Sequence, residues 1–226
     1  MPNEKDIILS KKALPTNLRS NEIQKKWSKE ILQNSIFSAQ TTSKTYLDYL
    51  KQILAQFAVG EKSPGESREA LTEKLANLGL LEKDSDKGSA IDRMKRLGSK
   101  MRIDLVLKTN KQIAHSTAQM ISAEDPLQKM MYPAWEFLRD EFRRAHRPWR
   151  KRWKIAAQNV GYEGVARNTT RMIALKNSPI WGALGNMFKD SLGTSQPPFC
   201  FGSGMGWEIV DRDECIELGL IKEQND

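Results

Sequence analysis

The sequence predicts a mainly α fold: a helical bundle with a long central helix, followed by a small irregular α+β C-terminal module. Apolar residues recur at three- and four-residue steps up to about residue 122, and helix-capping sequences precede several of these runs. Glycines and prolines crowd between residues 182 and 206, which indicates turns and short extended pieces. We therefore expect an extended N-terminal arm over 1–19, a basic helical body over 20–181 and an acidic module over 182–226.

The first elements are predicted from prolines and periodicity. Pro2 and Pro15 lie in a stretch without a sustained period, which favours an arm that orders on a partner. Ser20 is a candidate cap for a first helix through Leu32. A second helix is predicted from Thr42 to Gly60, with apolar residues on one face. These residues are Tyr46, Leu47, Leu50, Ile53, Leu54 and Phe57.

A capping box at Ser63-Pro64-Gly65-Glu66 predicts a third helix, which ends at Gly79. The polar segment 82–88 predicts a loop. Asp84 and Asp86 in it have the spacing that begins a calcium-binding loop, but Gly88 and Lys95 stand where such a loop requires further ligands. We therefore interpret the segment as an ordinary acidic loop.

Longer-range periodicity predicts one continuous helix from Ser89 to about Ser122. Pro133 is expected to open another helix that includes Trp135, Leu138 and Phe142, and Pro148 is expected to break it. A further helix then carries Trp149 and Trp153. Residues 171–175 fit either a helical turn or a short strand. Asp211 and Glu214 form the capping pair of a last helix, which Gly219 ends.

Composition limits the possible classes of protein. The N-terminal segment has no apolar region after its charges, and no stretch approaches the roughly 18 apolar residues of a membrane helix, so we expect neither a classical export signal nor a membrane span. The chain has two cysteines, Cys200 and Cys215, which favours a reducing compartment and two buried thiols. The net charge is +8, with −6 on residues 190–226 and +14 on residues 1–189, which suggests at least two functional faces.

Motifs for common chemistries are absent from the sequence. The two histidines, His115 and His146, and the two cysteines have no zinc-ligand spacing, and no phosphate-binding or nucleophile motif occurs. Gly202–Gly206 resembles a dinucleotide loop but lacks its third glycine, so a turn against Trp207 is the better interpretation. The acids at 211, 213 and 214 fit capping rather than magnesium binding. We expect no metal, cofactor or catalytic residue.

Cationic residues are densest between residues 139 and 154, where aromatic residues are interleaved with them. Guanidinium groups that neutralise phosphates and rings that stack on bases would suit nucleic acid. Alternatively, the rings Trp135, Phe142, Trp149 and Trp153 form core, with the cations as their solvated face. Either interpretation leaves the cations exposed and predicts weak, salt-sensitive binding to polyanions. The candidate residues are Arg139, Arg143, Arg144, Arg147, Arg150, Lys151, Arg152 and Lys154.

A succession of segments resembles the head-morphogenesis, or minor head, proteins of tailed phages and prophages, and more distantly the F-type minor head proteins of Mu-like phages. The resemblance extends from about Phe37 to Ile221. In distant relatives a basic, cysteine-bearing segment often follows the Pro-Pro turn, whereas Phe199-Cys200-Phe201 follows Pro197-Pro198 here. It implies a low-copy capsid component that acts near the portal during assembly, with no known reaction. The segments are Phe37–Leu47, Arg102–Ser116, Tyr132–Phe142, Arg171–Trp181 and Gln196–Ile221.

Three hypotheses of function follow. The first is a phage virion protein that is made in the host cytoplasm, docks on portal or capsid proteins, makes weak DNA contacts and has no enzymatic activity. The second is a stand-alone nucleic-acid-binding protein that uses residues 139–154. The third is an enzyme whose acids, among them Glu136, Asp140 and Glu141, form an unrecognised motif.

Overall fold

The computed structural model describes residues 3–141, 147–162 and 170–223. It is predominantly helical with a small amount of strand, as predicted. The chain divides into two compact units, with the boundary between Ala118 and Gln119. The boundary at 181/182 considered from the sequence lies within the second unit, in which residues 134–139 form a strand that pairs with two later strands.

The first unit contains most of the helices and one short parallel strand pair. Its largest core cluster includes Ile8, Leu47, Leu54, Leu71 and Leu107, which are at most 1% exposed. The elements are α1 (Glu4–Ser10), β1 (Lys12–Ala13), α2 (Ser20–Lys26), α3 (Lys29–Gln33), β2 (Ser35–Ile36), α4 (Lys44–Ala58), α5 (Pro64–Asn77), α6 (Ala90–Lys95) and α7 (Lys100–Ser122), whose last residues lie beyond the boundary.

The predicted extended arm is wrong for residues 4–10, which form helix α1. Asn3 caps this helix by accepting a hydrogen bond from the backbone N–H of Asp6 at 2.9 Å. Ile7 and Ile8 are buried in the core of the first unit. The helix is only seven residues long, so two adjacent apolar residues bury it without the repeat from which helices are recognised in sequence.

The capping box is confirmed. The hydroxyl of Ser63 accepts a hydrogen bond from the N–H of Glu66 at 3.2 Å, and the Glu66 carboxylate accepts one from the N–H of Ser63 at 2.8 Å. Helix α5 begins at Pro64, and Gly79 beyond its end has a left-handed φ of +67°. Helix α4 and its apolar face also match the prediction, and Ser43 is its cap.

The predicted continuous helix from 89 to 122 is wrong, because the chain breaks between α6 and α7. The carboxylate of Glu82 accepts hydrogen bonds from the N–H groups of Leu97 at 3.0 Å and Gly98 at 3.3 Å. The carboxylate of Asp86 accepts one from the N–H of Lys100 at 2.8 Å. Acids of the predicted 82–88 loop thus satisfy backbone donors that would otherwise continue a helix. The central position of α7 in a bundle stays a prediction.

The second unit is built on a three-stranded antiparallel sheet in the order β4-β3-β5. The central strand pairs Phe137 with Trp207 on β5 and Trp135 with Ala174 on β4. The elements of this unit are α8 (Pro126–Met131), β3 (Ala134–Arg139), α9 (Trp149–Val160), β4 (Ile173–Leu175), α10 (Ile180–Asn186), β5 (Met205–Val210) and α11 (Arg212–Glu217).

The helix predicted after Pro133 is wrong, since this stretch is strand β3. Trp135 and Phe137 lie two residues apart and are both in the aromatic core, whereas Leu138 is only half-buried. Alternate burial is the period of a strand, and tryptophan and phenylalanine favour strands. Phe142, the third residue of the predicted helical stripe, lies outside the described residues.

Both faces of the sheet are covered. Trp135 and Phe137 belong to an aromatic cluster with residues of α9 and α10, whereas Ala134, on the opposite face, packs with Ile173, Val210 and Cys215 of α11. The cap of α11 is confirmed, with the Asp211 carboxylate 2.8 Å from the N–H of Glu214. Of the alternatives for residues 171–175, the structure has a short strand at Ile173–Leu175.

No helix among the described residues is both long enough and apolar enough to cross a membrane.

Candidate polyanion-binding cleft

A cleft of about 670 Å³ lies at one end of the three-stranded sheet. The last residues of β3, the first residue of β5 and the segment before β4 form one side, and the N-terminal end of α9 forms another. Five cationic side chains and one carboxylate contribute to the lining. The lining residues are Glu136, Phe137, Leu138, Arg139, Arg147, Pro148, Trp149, Arg150, Lys151, Thr170, Arg171, Met172 and Met205.

Helix α9 presents cations to this cleft because of its amphipathic pattern. Trp149 and Trp153, four residues apart, are 4% and 2% exposed and bury the same helix face. Arg150 and Lys151 lie between them in sequence, Lys154 follows Trp153, and all three are exposed. Packing of the two tryptophans therefore fixes which way the three cations point.

The three cations Arg139, Arg150 and Lys151 define what we call the open basic triad. All three line the cleft and are exposed. Within the described residues, their side chains have no ion pair and no hydrogen bond. Unpaired cations around a concave surface attract polyanions, and binding would not require an existing ion pair to break.

Arg147 and Arg152 do not form an exposed cationic face, contrary to the sequence-based prediction. The carboxylate of Asp190 joins them, with Arg147 Nε 2.6 Å from Oδ2 and Arg152 Nη2 2.8 Å from Oδ1. Arg147 also donates to the backbone carbonyl of Phe201 at 3.0 Å. The guanidinium of Arg152 lies over the rings of Trp149 and Phe188, with only 16% of its side chain exposed.

The carboxylate of Asp190 is suited to this bridging role. Burial alone would raise its pKa, but hydrogen bonds from Arg147 and Arg152 outweigh burial and lower the pKa below its ordinary value. Asp190 therefore remains ionised between the two guanidinium groups at neutral pH.

A second ion-pair group ties Arg171 into the structure. Its guanidinium donates to both carboxylate oxygens of Glu136, at 3.0 and 2.6 Å, and also to Glu214. These hydrogen bonds raise the pKa of Arg171, with Glu136 contributing most. Arg171 could not be recognised as a cleft residue from the sequence, because its partners lie 35 and 43 positions away along the chain.

Two of the acidic C-terminal residues, Asp190 and Glu214, pair with cations at this site. Asp190 and Glu214 fold back onto basic residues of the same unit, so the predicted opposition of a +14 body and a −6 end does not persist at this site. The positive charge that remains available at the cleft is carried by the open basic triad.

The aromatic residues of this region form core, as one of the two sequence-based interpretations held. Trp135 and Trp207 stack with ring centroids 5.2 Å apart, and Phe137 meets Trp149 edge-on at 5.2 Å. Trp153 contacts Trp181 at 5.4 Å. None of these rings is more than 6% exposed, so they offer no surface on which a base can stack.

The remaining sequence-based candidates do not converge on this cleft. Lys154 is exposed but does not line it. Arg143 and Arg144 lie outside the described residues. Glu136, one of the acids considered for an enzyme, is held by Arg171. No group of three or more metal-ligating side chains occurs within residues 3–141, 147–162 and 170–223.

Fold and cleft together define a predominantly helical protein whose second unit carries a small antiparallel sheet with a basic cleft at its end. No protein-family model, no curated protein and no solved structure matches the chain.

Proposed function

We propose that this protein is a structural component of phage heads, a minor head or head-morphogenesis protein, and that its basic cleft contacts the DNA backbone. The observation that carries the DNA contact is the open basic triad: Arg139, Arg150 and Lys151 surround a cleft, are exposed and have no ion pair within the described part of the chain. The virion assignment is supported by the resemblance of the five sequence segments given above.

The geometry favours contact with phosphates rather than bases. The cleft offers cations at its surface, whereas the neighbouring rings of Phe137 and Trp149 are buried against each other. Phosphate contacts carry no sequence information and weaken as salt rises. A head protein that meets DNA of any sequence requires this kind of contact, weak and independent of sequence.

The proposed setting is the virion, with assembly in the host cytoplasm and docking on portal or capsid proteins. No enzymatic step is part of the proposed role.

Mass spectrometry of purified particles tests the virion assignment. Mature heads and assembly intermediates should both be analysed, because a morphogenesis factor can leave before maturation. We expect peptides of this chain in at least one of the two, at low copy number relative to the major capsid protein. Absence from both would refute the assignment.

The open basic triad also favours a second candidate, a nucleic-acid-binding protein that acts alone. The two candidates make the same prediction for DNA binding in solution and opposite predictions for particles. A protein that binds DNA and is missing from every particle fraction would be the stand-alone binder.

A further inference from the structure

Helix α11 presents an acidic surface on the side that faces away from the core. Asp213 and Glu217 lie four residues apart and share one face of this helix, opposite the buried Cys215. Both are exposed, and their carboxylates have no ion pair and no hydrogen bond within the described residues. Glu214, which lies between them in sequence, is the acid that pairs with Arg171. We call Asp213 and Glu217 the open acidic pair.

The helix that carries the open acidic pair starts at the end of the sheet opposite the cleft. In the ladder between β3 and β5, Arg139 pairs with Met205 at the cleft end, and Ala134 pairs with Val210 at the other end. The two ends are roughly 17 Å apart along β3, at about 3.4 Å per residue. Helix α11 follows β5 directly at the far end, and its Cys215 packs with Ala134 and Val210. The acids of one chain therefore leave its own open basic triad unpaired.

The charges of the second unit are separated rather than in excess. Residues 119–226 contain 15 basic and 14 acidic residues, so this unit is close to neutral as a whole. A nearly neutral unit repels its own copies little, whereas surfaces of opposite sign at its two ends attract each other. The second unit is therefore complementary in charge to another copy of itself.

We propose that copies of this chain associate head to tail, with the open acidic pair of one copy docked on the open basic triad of the next. The contact joins two different surfaces, so the copies close into a ring or extend as a chain instead of stopping at a symmetric dimer. Exposed ion pairs each contribute little and are screened by salt, so the association is weak and salt-sensitive. The inference goes beyond the proposed function, because DNA phosphates and a neighbouring copy then compete for the same three cations.

Two complementary variants test the contact without altering a buried residue. The triad variant has Gln in place of all three cations of the open basic triad and keeps the acidic surface. The acid variant, Asp213→Asn/Glu217→Gln, keeps the basic surface and lacks the acidic one. The matched control is Glu69→Gln/Glu73→Gln, because these two acids of α5 are also exposed, four residues apart and without an ion pair in the described part of the chain.

Sedimentation velocity of each full-length protein over a range of concentrations measures the association. We expect the wild-type protein and the control to form oligomers at low salt that dissociate at about 1 M salt, where the Debye length is about 3 Å. Each complementary variant alone should associate about tenfold more weakly or less, because the surface it keeps has lost its complement. Duplex DNA should dissociate the wild-type oligomers, since its phosphates occupy the triad.

An equimolar mixture of the triad variant and the acid variant is the sharpest test. It should form dimers and nothing larger, because the acids of the first variant can dock on the triad of the second and no other contact remains. All variants should melt at the wild-type temperature, since the replaced side chains are exposed and have no ion pair within the described residues.

Four outcomes would overturn head-to-tail association. They are a wild-type protein that stays monomeric at low salt, a complementary variant that associates alone as the wild type does, a mixture without dimers, and a control that loses association as much as the acid variant. DNA binding by the same samples separates this inference from the proposed function. A monomeric wild-type protein that binds DNA through the triad would refute only the association, whereas a triad variant that loses association but keeps the wild-type salt slope for DNA would refute only the DNA contact.

Discussion

Replacing the open basic triad should reduce the salt dependence of DNA binding by a calculable amount. Each phosphate neutralised on duplex DNA contributes about 0.9 to the slope of log affinity against log salt concentration. Three contacts, from Arg139, Arg150 and Lys151, therefore account for a slope of about 2.7, or roughly a 40-fold loss of affinity between 50 and 200 mM salt. The triple substitution to Gln should remove this part of the slope.

The assay is fluorescence anisotropy with a labelled duplex at several salt concentrations. Lys154→Gln is the matched control, since Lys154 is an exposed cation on the same helix that does not line the cleft. It should leave the slope unchanged. The triple variant should keep the wild-type melting temperature, because its three side chains are exposed and make no ion pair within the described residues. A wild-type slope in the folded triple variant would refute the assignment of the cleft.

Further predictions concern the packing and ionisation around the cleft. Asp190→Asn should lower the melting temperature at pH 7. Because the folded-state pKa of Asp190 is lowered, the stability that its ionised carboxylate contributes is present above the unfolded pKa of about 3.9 and is lost as pH falls through the folded value. The wild-type protein and Asp190→Asn should therefore melt alike in stronger acid. An equal difference at every pH would contradict this. Gly185→Ala should cost about 3 kcal/mol or more in denaturant unfolding, because a Cβ there would lie 1.5 Å from a backbone carbonyl oxygen. Gly182→Ala on the same helix has its nearest neighbour at 3.7 Å and should change stability by less than about 1 kcal/mol; similar costs for both would be inconsistent with the packing. Cys200 and Cys215 are buried, and burial raises the pKa of each thiol to about 11. Iodoacetamide at pH 8 should therefore modify them only after the protein unfolds. Rapid labelling of the native protein, detected by mass spectrometry, would disprove their burial.

Elements defined by short-range chemistry were predictable from the sequence. The capping box at Ser63 and the Asp211 cap depend on residues three positions apart, and both are present in the structure. The apolar face of α4 repeats over 15 residues, which is long enough for a helical period to be recognised.

Strand β3 could not be recognised, because six residues do not separate a period of two from one of three or four. Trp135 and Leu138 fit a helical stripe, but the segment is a strand because it pairs with β4 and β5. Those strands lie more than thirty residues away along the chain. The break before α7 has the same kind of cause, since it depends on Glu82 from an earlier loop.

The basic cluster at residues 139–154 could be recognised from the sequence, but which of its cations are free of ion pairs could not. Arg147 and Arg152 form ion pairs with Asp190, which lies 43 and 38 positions away along the chain. Nothing local distinguishes them from Arg150, which is exposed. A charge run shows that cations are concentrated, whereas their pairing is a property of the tertiary structure.

Formaldehyde crosslinking of intact particles, followed by mass spectrometric mapping of peptides bound to DNA, tests the central claim most directly. Formaldehyde reacts with lysine amines, so Lys151 in the cleft and Lys154 outside it give an internal comparison. We predict that this chain is present in particles and is crosslinked to DNA at Lys151 more than at Lys154. A chain absent from both mature heads and assembly intermediates, or present in DNA-filled heads with no DNA adduct at Lys151, would contradict the proposed function.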